Sequence, residues 1–356
     1  MTHKIIYSCF LTNVGYTRAA LGYIKSLLIN NFDVKINCIH KYPHGNSFTK
    51  EELHMIRDRC QLINLSGDIL IEHVIPNRWR KELHGSKKAC VAVYENEKVD
   101  QFWIDSINKN MDYVIYPSQW NKDIFEKCGV VKNGSVVPHF LDEDIWVPSD
   151  NNRNELFTFC IIATWRERKN WNLVFDSFNK LSKNYNFILN IKTDKSKDLL
   201  KYVSQNYSNL LKFIILEDSE FNDIQMVEYM NKQDCIVSFS YGEAFCLPLL
   251  QSIFLGKPFV STDIPGVKDF LSSDFGCFIP QNGTIKKDKM DHYPQFFNKE
   301  WPFFNSDDAC RALSELIEKY DTYKNNIKIN RDRFLSKFGL KSSITNKYWD
   351  HMIRLC

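Results

Sequence analysis

Residues able to handle a phosphorylated substrate gather in two stretches of the second half of the chain. YGEAFCLPLLQSIFLGKPFVSTDIPGVKDF, residues 241–270, carries Glu243 and Gln251. ATWRERKN, residues 163–170, sets Arg166, Arg168 and Lys169 around one glutamate. A planar guanidinium and an ammonium offset the negative charges of a diphosphate and stabilise a leaving nucleotide. By composition alone the three cations read equally well as a solvated turn.

The elements around these residues decide what they can reach. DCIVSFS, residues 234–240, is a short apolar run rich in β-branched and aromatic residues, as in a strand buried on both faces. From Pro248 the residues Leu249, Leu250, Ile253 and Phe254 fall on one helical face. Proline suits a first turn, Gly256 suits a stop, and KPFVSTD follows as a second strand. A strand–turn–helix–strand unit of this kind places the amides of Phe245, Cys246 and Leu247 at a helix head, where an anion is favoured. Any βαβ unit shares that geometry, so it does not single out a phosphate by itself.

The first half is sparser in chemistry. KIIYSCFL reads as a buried opening strand, then a loop with Gly15, where the backbone can approach a ligand closely, then a helix over 18–29. Arg18 is placed either to reach an anion or to be solvated. DILIEHVIPN ends a strand in Glu72 and His73 before Pro76 breaks the pattern, and a strand-end histidine there is structural or functional. Further strands are expected at 33–39, 186–193 and 211–218, and at the start of each of the stretches 87–97, 112–130 and 157–178. The polar, Pro- and Asn-rich VPSDNNRNE, residues 147–155, is the best domain boundary.

At 356 residues the chain suits two domains, and Lys+Arg 46 against Asp+Glu 43 neither demands nor excludes nucleic acid. The 11 cysteines lie far apart, with no C-x-x-C and no Cys/His pair at ligand spacing, so neither zinc nor a disulfide framework is expected. No signal core and no run of eighteen apolar residues is apparent, so the expectation is a cytoplasmic protein without stable membrane insertion.

GEAFCLPLLQS resembles the signature of the nucleotide-sugar glycosyltransferases of family 4, usually EGFGLPLLEA, in which two glutamates frame the donor. ATWRERKN resembles that family's G-T-x-x-x-R-K-N, the stretch from Asp112 its D-x-v-x-x-P-S, and Pro138-His139 its P-H-G. The likeness covers roughly residues 5–280. It implies an α/β chain of GT-B fold: two doubly wound Rossmann-like domains facing across a cleft, with a C-terminal helix crossing back. The boundaries expected are 1–150 for an acceptor domain, 151–335 for a donor domain and 336–356 for the returning helix.

The resemblance further implies a retaining glycosyltransferase that moves a sugar from a nucleotide-diphosphate sugar, without cofactor or metal. Glu243 and His73 would be catalytic, facing the sugar. Gly15, Arg168, Lys169, Phe245, Cys246, Leu247 and Gln251 would bind the donor. Gln251 stands where the family has a second glutamate that holds the ribose; it can still hydrogen-bond a hydroxyl but lacks the charge. Ala163 and Phe140 each replace a family glycine. The acceptor is open among glycan, lipid-linked sugar, protein and modified nucleic acid. Two alternatives share the architecture: a non-catalytic nucleotide-sugar-binding protein, and a sugar-nucleotide epimerase.

Overall fold

The computed structural model of the protein describes residues 3–12, 15–39, 47–60, 66–80, 82–149, 155–291 and 293–354. Most of the loop from His40 and of the linker at 147–155 therefore lies outside the described residues. The chain divides into two compact units. One comprises Met1–Ile145, Glu220–Ile224 and Arg333–Cys356; the other comprises Trp146–Ser219 and Gln225–Asp332.

In the first unit, six short runs rich in β-branched and aromatic residues form strands β1 (Lys4–Cys9), β2 (Asp33–Cys38), β3 (Ser66–His73), β4 (His84–Val91), β5 (Tyr113–Tyr116) and β6 (Gly134–Val136). They make a parallel sheet in the order β2-β1-β3-β4-β5-β6. Both faces are covered by helices, so the strands read as continuous apolar runs rather than alternating ones; Ile5, Ile6 and Tyr7 are all fully buried. Strand order reverses between β1 and β3, the kind of point at which doubly wound sheets place their ligand sites.

The second unit repeats the plan with β7 (Phe157–Ile162), β8 (Phe187–Lys192), β9 (Ile214–Glu217), β10 (Cys235–Ser238), β11 (Phe259–Thr262) and β12 (Gly276–Ile279). Its order is β12-β11-β10-β7-β8-β9, again all parallel. That is the doubly wound order in which the switch point falls between the first and fourth strands, here β7 and β10.

Two stretches differ from expectation. After the edge strand β12, in a polar stretch that shows no strand pattern, an antiparallel pair forms from β13 (Gln281–Lys287) and β14 (Lys299–Phe304). The pair is anchored by Trp301 opposite Ile285, and Trp301 is buried, whereas the remaining β13 side chains are mostly exposed. Too few apolar residues alternate there to announce a strand.

The returning helix expected over 336–356 is instead broken, with two short helices, Ser342–Thr345 and Asp350–Ile353, after the long one. Between them Lys347 takes φ +50°, a left-handed conformation that a helix cannot continue through. These helices follow the long helix Tyr320–Phe338 and pack within the first unit. The Leu141 amide donates to the Phe338 carbonyl at 3.0 Å and the Leu340 amide to Leu141 at 2.9 Å. The Trp349 indole nitrogen donates to Ser26 Oγ at 2.8 Å.

Candidate functional site

At the switch point of the second sheet, two loops bring opposite charges together. The loop after β7 runs through Glu167–Lys169, a single 3-10 turn, into Asn170, whose left-handed φ of +53° starts the helix Trp171–Leu181. The loop after β10 carries Ser240 to Phe245. The Tyr241 amide donates to the Arg168 carbonyl at 2.9 Å, which ties the two loops backbone to backbone. Lys169 Nζ donates to Glu243 Oε1. Arg168 Nη1 lies 3.3 Å from Glu243 Oε2 and donates to the Gly242 carbonyl at 2.5 Å. Ser240 Oγ donates to Glu243 Oε1 at 2.6 Å.

Glu243 is only 8% exposed. Burial alone would raise its pKa, but Lys169 and Arg168 outweigh burial and, with the hydrogen bonds from Lys169 and Ser240, hold it at about 2. The cluster carries two cations and one carboxylate, a net single positive charge set in a low-dielectric loop. That balance suits a polyanion that draws the cations toward itself while the carboxylate stays ionised.

The helix Leu247–Phe254 starts one residue before the expected Pro248, which occupies its first turn. Cys246 caps it with φ +72°, so the chain turns sharply out of the Glu243 loop into the helix head. The first-turn amides of a helix have no intrahelical partner, and Leu247 supplies one. Phe245 stacks on Phe270 with ring centroids 4.6 Å apart, fixing the loop from behind. Gln251 lies on the same helix and is buried to 7% exposure. The other wall is Gly266: a Cβ there would meet the Glu243 carbonyl oxygen at 2.1 Å, so only glycine lets the turn after β11 approach this loop.

In the first unit the corresponding switch point holds His73 at the end of β3 and the helix Gly15–Ile29 after β1. His73 is fully buried; its Nδ1 shares a 2.7 Å hydrogen bond with the Tyr7 hydroxyl. Tyr16 lies over it with ring centroids 4.4 Å apart, and Tyr23 is 5.6 Å away. His73 Nε2 and the Tyr16 hydroxyl are both buried without a hydrogen-bond partner among the described residues. Burial and the nearby His139 push the His73 pKa well below its usual value, so the ring is neutral. Gly15 opens the helix and faces open space. Arg18 is engaged elsewhere, donating to Glu52 at 3.0 Å and lying 3.4 Å from Asp223.

Of the residues expected from sequence, Arg168, Lys169 and Glu243 converge, and Phe245, Cys246, Leu247 and Gln251 follow on the same loop and helix. His73 and Gly15 belong to the other unit. Ser240, Gly266 and Asp291, which accepts from the Arg168 amide at 3.2 Å, were not singled out. Serine and aspartate in loops carry no positional signal, and Gly266 is legible only as a glycine after a proline. Among the described residues, no group of three or more His, Cys, Asp or Glu could hold a metal ion, and no helix is long and apolar enough to cross a membrane.

Residues 142–291 match the family model Glycosyl transferases group 1. No curated protein matches the chain in sequence. Among solved structures the chain is similar to a glycosyltransferase from Rickettsia africae at 14% identity, with 98% of each chain covered and a TM-score of 0.72. It is similar to HepE of Anabaena in complex with UDP and glucose at 11% identity, covering 99% of this chain and 100% of that one, with a TM-score of 0.71. A sucrose-phosphate synthase from Thermosynechococcus elongatus gives 10% identity, 99% and 100% coverage and a TM-score of 0.72. Likeness at such identities establishes the fold, which is GT-B: two parallel-sheet, Rossmann-like units.

Proposed function

We propose that this GT-B chain is a retaining glycosyltransferase of family 4, moving a sugar from a nucleotide-diphosphate donor to an acceptor hydroxyl. One observation carries the proposal: Lys169 and Arg168 from the loop after β7 meet Glu243 from the loop after β10, beside the head of the helix Leu247–Phe254. In this reading the donor diphosphate draws Lys169 and Arg168 to its oxygens and takes the Leu247 amide at the helix head. These groups stabilise the charge that develops on the leaving nucleotide, the work a metal ion does in other transferases, so none is required.

Glu243 then stands beside the transferred sugar, ionised, able to hydrogen-bond its hydroxyls and to stabilise positive charge developing at the anomeric carbon. Gln251 takes the ribose hydroxyls as a neutral partner. The acceptor attacks on the face the nucleotide leaves, and the departing phosphate takes the acceptor proton. His73, whose Nε2 is buried without a hydrogen-bond partner among the described residues, is assigned a sugar contact. That HepE was solved with UDP and glucose makes UDP-sugars the first donors to try.

The test is turnover of a panel of UDP-, GDP- and ADP-sugars by purified protein. Lys169→Ala should cut it by about 10²-fold or more, as loss of an oxyanion-stabilising donor does. Turnover close to wild type in that variant overturns the proposal. Gln251, in place of a second carboxylate, favours one rival, a protein that binds nucleotide sugars without reacting them. Tight donor binding with no turnover across the whole panel would establish that rival.

A further inference from the structure

A second concavity lies in the same unit, built from the other side chains of the two loops that hold Lys169 and Glu243. Its volume is about 240 Å³. Its walls are aromatic: the Trp165 ring centroid is 5.2 Å from Trp171 and 5.6 Å from Tyr202, and Tyr241 closes a further side. Its rim is polar. Tyr202 donates its hydroxyl proton to Asn172 Oδ1 at 2.6 Å, and Lys287, from β13, donates to Glu167 Oε1 at 3.0 Å while lying over the Tyr241 ring. The indole nitrogen of Trp171, a side chain 6% exposed, is buried without a hydrogen-bond partner among the described residues.

The chemistry of this lining selects its ligand. Lys287 and Glu167 neutralise each other, and the remaining cation, Arg166, leans over the Tyr293 ring at 5.8 Å, so the rim carries one positive charge rather than the cluster of donors a phosphate site uses. The volume falls below the roughly 300–1,000 Å³ of sites for drug-sized ligands, which suits one ring and its substituents rather than a whole nucleotide. A pyranose has an apolar C–H face, matched by a half-exposed indole, and an edge of hydroxyls that are each donor and acceptor. Asn172 and Glu167 supply acceptors there; Lys287 and Arg166 supply donors.

We infer that this concavity is a saccharide subsite, and that the acceptor is therefore a glycan, one of whose sugar rings stacks on Trp165. The inference rests on the glycosyltransferase reading only for the word acceptor; binding of the sugar stands apart from it. Trp165 is the stacking platform, and Tyr202 and Asn172 fix the edge of the ring. The hairpin of β13 and β14 supplies Lys287, giving that pair of strands a part in recognition.

The experiment titrates the full chain with maltotriose, cellotriose, chitotriose and mannotriose, followed by tryptophan fluorescence and saturation-transfer NMR. At least one trisaccharide should bind. Trp165→Ala should weaken it about tenfold, the loss of one aromatic stacking contact, with UDP binding held within about twofold. Asn172→Ala, at an exposed helix position, should weaken the same sugar with melting unchanged, which separates lost recognition from lost folding. Lys169→Ala should weaken UDP binding and leave the trisaccharide bound.

Failure of all four sugars to bind, or equal binding by Trp165→Ala, overturns the inference. Lys169-dependent donor turnover with no trisaccharide bound leaves the enzyme standing and removes the subsite. Trisaccharide binding through Trp165 without any donor turnover leaves the subsite standing and removes the enzyme.

Discussion

At the scale of the residue, Glu243 is the most informative group in the chain, because its surroundings fix its protonation. Its pKa lies at about 2 against an ordinary 4.5, so it contributes stability that is present above 4.5 and lost as pH falls toward 2. Glu72 has the opposite sign. Burial raises it to about 7, against hydrogen bonds and cations that act to lower it, so its contribution worsens as pH rises from 4.5 to 7. Urea titrations between pH 3 and 8 should therefore show Glu243→Gln flattening the acid limb and Glu72→Gln flattening the slope approaching neutrality. Unchanged slopes in either variant would contradict the assigned environments. The identities of Glu243, Arg168 and Lys169 were legible because their motifs have fixed spacing. Ser240 was not, since its contact with Glu243 depends on how the loop turns.

At the scale of the element, the loop after β10 is held where three pieces of backbone crowd together. Gly266 is the tightest of these contacts: an added methyl would overlap the Glu243 carbonyl, and backbone does not yield as a side-chain tip does. Gly266→Ala should thus cost about 1–3 kcal/mol of stability and lower donor turnover more than it raises the donor KM, because it moves Glu243 without touching Lys169. Denaturant melts and steady-state kinetics on the one variant check both parts. The helix Leu247–Phe254 was readable from its apolar spacing and its proline. Its start at Leu247 was not, because that depends on Cys246 taking a left-handed conformation, which thiol side chains do not advertise. The β13–β14 pair was hidden for another reason: only Trp301 and Phe304 are buried in it, and periodicity needs several residues to show.

At the scale of the whole molecule, strand order follows from alternating apolar runs and helical faces, and both sheets are doubly wound as the sequence suggests. Motif resemblance brought Arg168, Lys169 and Glu243 to one switch point; the burial of His73 among Tyr7, Tyr16 and Tyr23 at the other was not legible, since it follows from strand order and not from spacing. The first unit is also built from distant parts of the chain: Trp349 and Met352 join the core formed by Ile5, Tyr7 and Tyr23. Trp349→Ala should cost about 3–5 kcal/mol, the range for a large buried aromatic, and hydrogen exchange should show protection lost in β1 and the helix Gly15–Ile29 while β7 and β10 keep theirs. Loss spread evenly over both sheets would refute that assignment. During synthesis the same arrangement fixes an order of events. Strands β1 to β6 leave the ribosome before β7 to β12, yet their core closes fully only once residue 352 has emerged, after the second unit's strands have all been made.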